Sequence, residues 1–154
     1  MSNSFRELHA NFLILPNAWD AGSARLIESR GAKAIATSSA ALAWSCGYPD
    51  GNALPIDVLA RTVASIARVI SIPLSVDSEG GYSDDPAQVE ENFFAIADAG
   101  AVGCNLEDGS GTVELMCAKI EAAKRGAARA GVDLFVNARI DVVLRQLVAP
   151  AELI

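Results

Sequence analysis

Five short, nearly continuous apolar runs punctuate the chain: FLILP at 12–16, AIATS at 34–38, PLSVD at 73–77, VGCNLE at 102–107 and LFVNAR at 134–139. Runs of this length without polar alternation predict strands buried on both faces, the pattern of a parallel sheet. Between them lie longer segments of helical period. Residues 21–30 stop at Gly31, and residues 113–130 stop at Gly131. Residues 57–70 set Val58, Leu59, Val63 and Ile66 near one stripe with Val69 or Ile70, and residues 86–98 gather Val89, Phe93, Ile96 and Ala97. Asp85-Pro86 followed by Gln88 predicts a helix start with a capping box.

Strict alternation of strand and helix predicts right-handed crossovers in one parallel sheet. The strand spacing suits either an open doubly wound sheet or an eight-fold barrel. A complete barrel takes about 250 residues. The 154 residues here would therefore form a single barrel-type domain over 1–154, truncated after its fifth unit, with a sixth connection starting in VAPAELI. The stretch AALAWSCGYPDGNALP at 40–55 is long for a βα connection and predicts a lid or binding loop.

Composition narrows the class. With 51% hydrophobic and 20% charged residues the chain predicts one globular domain, and a net charge of −7 argues against nucleic-acid and anionic-membrane partners. Cys46, Cys104 and Cys117 are odd in number and lack metal-ligand spacing, so they predict reduced, mostly buried thiols of a cytoplasmic protein. No signal architecture is evident, and no run approaches the roughly 18 apolar residues of a membrane span.

In parallel α/β proteins ligands bind beyond the carboxyl ends of the strands. Asp77 and Glu79 stand at one such end, Asn105 and Glu107 at the next, and Asn137, Arg139 and Asp141 at the one after. On an extended chain residues two apart share a face. These ends would thus send several carboxylates and one guanidinium into one pocket. Such a cluster repels itself unless a cation or protons intervene. Hard oxygen ligands favour Mg²⁺, with Mn²⁺ as a substitute, and Arg139 would face a substrate carboxylate.

Each residue also has a plainer reading. Asp77, Glu79 and Glu107 could cap helices or pair with surface cations, and Arg139 could form a structural ion pair. Ser38 and Ser39 could hold an anionic oxygen or simply occupy a loop. Asp50 could close over the site or shape an Asp-Gly turn, and Asp84 reads only as a solvated turn residue. His9, the sole histidine, sits far from these strand ends in sequence, which leaves little material for Ser-His-Asp or Cys-His chemistry. Neither a P-loop nor a strand-following GxGxxG occurs.

Five ordered motifs, LPNAWDAGSARL, AIATSSAALAWSCGYPDG, LSVDSEGGYS, VGCNLEDGSG and FVNARIDV, resemble the isocitrate lyase / phosphoenolpyruvate mutase superfamily along nearly the whole chain. The resemblance implies a (β/α)8 TIM-barrel fold and a Mg²⁺ site for 2-oxo acids or related carboxylates. It assigns Asp77 as the principal metal-contacting aspartate, Glu79 in place of a second aspartate, and Glu107 as the metal-shell glutamate. Arg139 matches the substrate-carboxylate arginine, Ser38 and Ser39 a pair that binds substrate oxygens, and Asp50 an aspartate of the mobile segment near the site. Beyond the Glu79 replacement, two further departures matter. Glu107 is followed by DGSGT, where the lyases carry a Lys-x-Cys-Gly-His loop with the catalytic cysteine, and the long gating loop of the phosphonopyruvate mutases is missing.

The resemblance implies a Mg²⁺-dependent lyase-type enzyme that breaks a carbon-carbon or carbon-phosphorus bond through a metal-stabilised enolate. Asp50 and Arg139 are the catalytic candidates, and an oxaloacetate-like substrate is favoured over true isocitrate or methylisocitrate cleavage. The alternative is a weak or inactive carboxylate-binding member of the same group. Five units alone would leave a strand edge and apolar surface uncovered, which predicts association into a homo-oligomer.

Overall fold

The computed structural model describes residues 2–141 together with Leu144 and Gln146. Five strands, β1 (Asn17–Ala18), β2 (Ile35–Thr37), β3 (Leu74–Asp77), β4 (Gly103–Glu107) and β5 (Phe135–Arg139), form one sheet. All neighbours pair parallel, in the order β1-β2-β3-β4-β5. A doubly wound sheet reverses its strand order at a switch point, whereas a β/α barrel adds each strand beside the last. The consecutive order therefore decides for the barrel type. The sixth connection expected at 148–154 lies outside the described residues.

Six helices accompany the strands: α1 (Ser2–Leu8), α2 (Ala21–Ser29), α3 (Ser39–Ser45), α4 (Ile56–Ala67), α5 (Pro86–Asp98) and α6 (Val113–Arg129). The periodic stripes hold, since Leu59, Val63 and Ile66 of α4 and Val89, Phe93, Ile96 and Ala97 of α5 are all buried. Two helices escaped the sequence pattern. The α1 helix is a single short amphipathic piece, and α3 takes up the start of the stretch expected to be loop, through Ser45, opening directly on Ser38 as its N-cap. The first apolar run also departs from expectation, because β1 is confined to Asn17–Ala18 and Phe12 and Ile14 are exposed.

Capping is local and mostly side-chain driven. Asp20 and Ser23 form a reciprocal box at α2. Asp85 accepts from the Ala87 amide at 3.0 Å, but Gln88 turns to Asn92 and completes no box.

The core has two main parts, one under α2–α4 against β1–β3 and one between β4, α5 and α6. Close approach between α5 and α6 depends on Gly126, where a Cβ would meet the Glu90 carbonyl oxygen at 2.1 Å. At the amino ends of the strands α1 inserts Phe5, whose ring packs edge-on to Phe135 with centroids 5.6 Å apart. The same ring leaves no room for a side chain at Gly103, since a Cβ there would lie 2.4 Å from Phe5. His9 stacks on Phe135 at 4.0 Å, at the end of the sheet opposite the acidic strand ends.

The outer strands β1 and β5 are uncovered among the described residues, and Phe12, Ile14 and Leu26 form an exposed apolar rim beside β1. No described helix is long and apolar enough to cross a membrane. The three cysteines are free, but only Cys104 is buried; Cys46 is intermediate and Cys117 exposed.

Candidate active site

The carboxyl ends of β2, β3, β4 and β5 bring the expected residues to one end of the sheet. Asp77 closes β3 and is tied in from both sides. Its Oδ2 accepts from the Ser39 amide at 3.2 Å, its Oδ1 from the Glu79 amide at 3.4 Å, and its own amide donates to Thr37 Oγ1 at 2.9 Å. The anionic oxygen held by the Ser38-Ser39 turn is thus that of Asp77. Ser38 itself caps α3, its hydroxyl accepting from the Ala41 amide.

Glu79 reaches the site by a different route from the one alternation predicts. The chain leaves extended geometry after Asp77, and Glu79 sits at φ 47°, followed by Gly81 at 84° and Tyr82 at 61°. Left-handed backbone costs a non-glycine residue about 1–2 kcal/mol, and such strain clusters where function fixes a geometry. Across the site Asn52 also has positive φ, and its amide donates to Glu79 Oε2. That bond delivers the 40–55 segment onto the site, as expected of a binding loop, but through Asn52, which the sequence reading had passed over.

Glu79 is 5% exposed, and its Oε1 is buried with no hydrogen-bond partner. Burial raises its pKa above the usual carboxylate value; the Asn52 amide and the Tyr82 hydroxyl oppose this, and the negative charges of Asp50 and Asp77 add to the rise. Burial, reinforced by the Glu79 charge, also pushes the neighbouring Tyr82 phenol upward, so it remains a protonated donor. Beneath them Cys104 is held as a thiol, pushed up to about 12 mainly by burial, and is no nucleophile.

Glu107 and Arg139 are register partners on β4 and β5 and form an ion pair. Arg139 also donates to both oxygens of buried Asp141, at 2.9 and 3.3 Å, and the Asp141 amide donates to Asp108 Oδ1 at 2.9 Å. Arg139 is thus engaged within the chain, the structural ion pair that is the plainer of its two readings. Asn137 donates to Asn105 at 2.8 Å, so the two-residue spacing does place both strands' polar side chains on one face.

Two buried hydrogen-bond donors, one of them a cation, went unforeseen. Lys119, on α6, is 6% exposed and donates to the Gly80 carbonyl at 2.9 Å and to Asp84 at 2.6 Å. Asp84 is therefore an ion-pair partner as well as an exposed turn residue, and the Lys119 hydrogen bond, with its charge, holds its carboxyl below the usual range. Asn92 of α5, 3% exposed, donates to the Gly81 carbonyl at 3.0 Å. Both residues lie on the apolar stripes of their helices. A polar side chain in such a stripe is the signal that could have found them.

A cavity of about 490 Å³ opens between the β3 and β4 ends, lined by Asn52, Tyr82, Glu107, Asp108 and Lys119 among others. A larger one, about 670 Å³, lies along the β1 rim among Phe12, Ile14 and Leu26 and holds no carboxylate. The smaller borders the acidic strand ends through Gly80, Tyr82 and Glu107, while Asp77 and Glu79 do not line it. Among the described residues no three His, Cys, Asp or Glu side chains form a ready-made ion cage. Mg²⁺ needs none, since it binds through one or two carboxylates and keeps several waters. Hard oxygen donors, and a buried carboxylate oxygen without a partner beside two further carboxylates, fit such an ion.

Fold and site together define an enzyme-like β/α barrel domain with an acidic centre at the strand carboxyl ends. A family model described as phosphoenolpyruvate phosphomutase matches residues 5–153, and the chain belongs to the phosphoenolpyruvate mutase / isocitrate lyase superfamily, a group of lyases, mutases and hydrolases. An uncharacterized protein of Mycobacterium tuberculosis (strain H37Rv) is 36% identical over 150 residues, which cover 93% of this chain and 55% of that protein. The crystal structure of a Burkholderia cenocepacia J2315 protein described as a phosphonomutase is 41% identical, covers 94% of this chain and 62% of its own, and superposes with a TM-score of 0.87. A phosphonopyruvate hydrolase, solved with oxalate and Mg²⁺, is 28% identical with a TM-score of 0.84, over 96% of this chain and 54% of its own. The chain thus spans little more than half the length of the proteins it matches.

Proposed function

We propose that this chain carries the Mg²⁺-binding half of a lyase-type site that cleaves a carbon-carbon or carbon-phosphorus bond of a 2-oxo carboxylate, with an oxaloacetate-like substrate favoured. The observation that carries this reading is Glu79 Oε1, buried without a hydrogen bond beside the charges of Asp50 and Asp77. A cation would relieve that imbalance. The Mg²⁺ and oxalate bound by the phosphonopyruvate hydrolase support the choice of ion and of ligand class.

Asp77 and Glu79 would hold the ion, with Glu107 contributing through water. Once bound, Mg²⁺ (or Mn²⁺) would supply the electrophile that polarises a 2-oxo group. The chain's own residues do the rest. Ser39 and Glu79 amides hold the two Asp77 oxygens in place, the Asn52 amide holds the 40–55 segment against Glu79 with Asp50 alongside, and Tyr82 supplies a protonated donor. Arg139 is 40% exposed, so its guanidinium can shift from Glu107 toward a substrate carboxylate while keeping Asp141.

The test is Mg²⁺-dependent release of pyruvate from a panel of 2-oxo diacids, repeated with Asp77→Ala and with chelator. Metal-dependent turnover that the substitution abolishes is the expected result. Turnover without metal, or an equally active variant, removes the assignment. A second reading, carboxylate binding without turnover, draws on the double engagement of Arg139 by Glu107 and Asp141. Calorimetric binding of oxalate with Mg²⁺ and no product from any diacid would select it.

The same reading places the chain in the cytoplasm as one catalytic domain, consistent with three free thiols, and has it self-associate through the β1 rim and open strand edges. Light scattering that finds a monomer at all concentrations would remove the homo-oligomer.

A further inference from the structure

Between β3 and α5 the backbone takes Glu79, Gly81 and Tyr82 into left-handed conformation within four residues. A segment of this kind keeps its shape only when its surroundings over-determine it. Two buried side chains do so here. Lys119 reaches up from α6 to the Gly80 carbonyl, and Asn92 reaches across from α5 to the Gly81 carbonyl, at 2.9 and 3.0 Å. Consecutive carbonyls are therefore each held from a different helix.

The clamp is itself fixed. Asn92 Oδ1 accepts from Gln88 Nε2 at 2.9 Å, which leaves the Asn92 amide nitrogen as the end facing the loop. Lys119 places a second N–H on Asp84 at 2.6 Å, so one ammonium group ties both ends of the Gly80–Asp84 stretch. Burying a lysine is unfavourable unless its charge is paired and hydrogen-bonded, and an apolar side chain would fill the same position between α6 and the loop without that cost. Its placement under the strained 79–82 segment gives the charge a use. Neither Lys119 nor Asn92 contacts Asp77, Glu79 or Glu107 by a hydrogen bond or ion pair among those the structure shows.

We infer that Lys119 and Asn92 are positioning residues: they hold residues 79–82 in the left-handed arrangement that aims Glu79 at Asp50 and Asp77, and thereby set the site's affinity for a divalent cation. The second half rests on the metal reading proposed above. The first stands without it.

Two measurements on the purified chain separate them, made on the parent, Lys119→Met, Lys119→Arg, Asn92→Leu and, as a control on the solvated face of α4, Asp57→Asn. Amide hydrogen exchange without metal reads the loop, through the Gly81 amide that donates to Ser78 and the Glu107 amide that donates to Glu79. Titration with Mn²⁺ alone, followed by electron paramagnetic resonance, reads the site. In Lys119→Met and Asn92→Leu both amides should exchange at least about tenfold faster while the chain still melts cooperatively, and Mn²⁺ should bind about tenfold more weakly. Lys119→Arg should recover part of both effects, and Asp57→Asn should match the parent. Unchanged exchange in both clamp variants overturns the clamp, whatever the metal does. Faster exchange with unchanged Mn²⁺ affinity overturns its link to the site. A parent that binds no Mn²⁺, with faster exchange in the variants, removes the metal reading and supports the clamp. If Lys119→Met does not fold, Asn92→Leu makes the same comparison at the adjacent carbonyl.

Discussion

The end of β3 and the paired ends of β4 and β5 carry similar residues and solve opposite electrostatic problems. At β4 and β5 each carboxylate has a cationic partner inside the chain, Arg139 lying between Glu107 and Asp141. At β3 the charges of Asp50 and Asp77 bear on Glu79 with backbone amides and a phenol, but no cation, beside them among the described residues, and one buried oxygen is left without a partner. The lysine nearest that loop points to Gly80 and Asp84 instead. An acidic cluster in the sequence is therefore informative only after its internal cations have been assigned. The imbalance at β3, more than the number of acids, is what marks a place for an ion.

The largest test of this contrast is functional. Asp77→Ala should lower Mg²⁺-dependent turnover by about a thousandfold or more, whereas Arg139→Lys, which keeps a charge but loses the planar fork, should raise KM more than it lowers kcat. Steady-state kinetics on the active diacid checks both. Equal loss of kcat in the two variants would erase the distinction between the two regions.

Next in size is the scaffold that carries both loops. Gly126→Ala forces a methyl into the Glu90 carbonyl and should destabilise the chain by about 3 kcal/mol or more, since overpacking against backbone cannot be relieved by a rotamer change. Urea denaturation measures it. A smaller effect would mean that α5 and α6 can separate without disturbing the β3 loop.

Arg139→Met probes the paired region directly. It removes the cation shared by Glu107 and buried Asp141, and because Arg139 is partly solvated the cost should be about 1–2 kcal/mol rather than that of a fully buried pair. The same denaturation curves report it.

The smallest effect has the opposite sign. Glu79 ionises at higher pH in the folded chain than in the unfolded one, so the folded state holds the proton longer and stability falls as pH rises above the ordinary value of 4.5. Glu79→Gln should therefore melt a few degrees higher than the parent at neutral pH without metal, and the difference should shrink as pH falls toward 4.5 and be gone below it. Adding Mg²⁺ should raise the parent's melting temperature and leave the variant nearly unmoved. A variant less stable than the parent at neutral pH without metal would show that the β3 end is already balanced.

Much of this molecule was legible from local pattern. Apolar runs and helical stripes are nearest-neighbour properties, and they predicted β2 through β5 and the buried faces of α4 and α5. The short helices α1 and α3 were not, because their ends are set by tertiary contacts: Phe5 beneath Gly103, and Ser38 capping a helix whose next amide serves Asp77. Alternation placed Asn105 and Asn137 correctly on one face but gave the wrong reason for Glu79, which arrives through a left-handed turn.

The amino-acid sequence by itself determined the alternation of strand and helix, and the strand ends at which the acids would gather, because both follow from periodicity within a single element. Strand order, the pairing of Arg139 with Glu107 and Asp141, the unsatisfied Glu79 oxygen and the reach of Lys119 and Asn92 to consecutive carbonyls were decided only in the tertiary structure. Each depends on groups tens of residues apart being brought within hydrogen-bond distance, and no local pattern encodes which buried donor meets which acceptor.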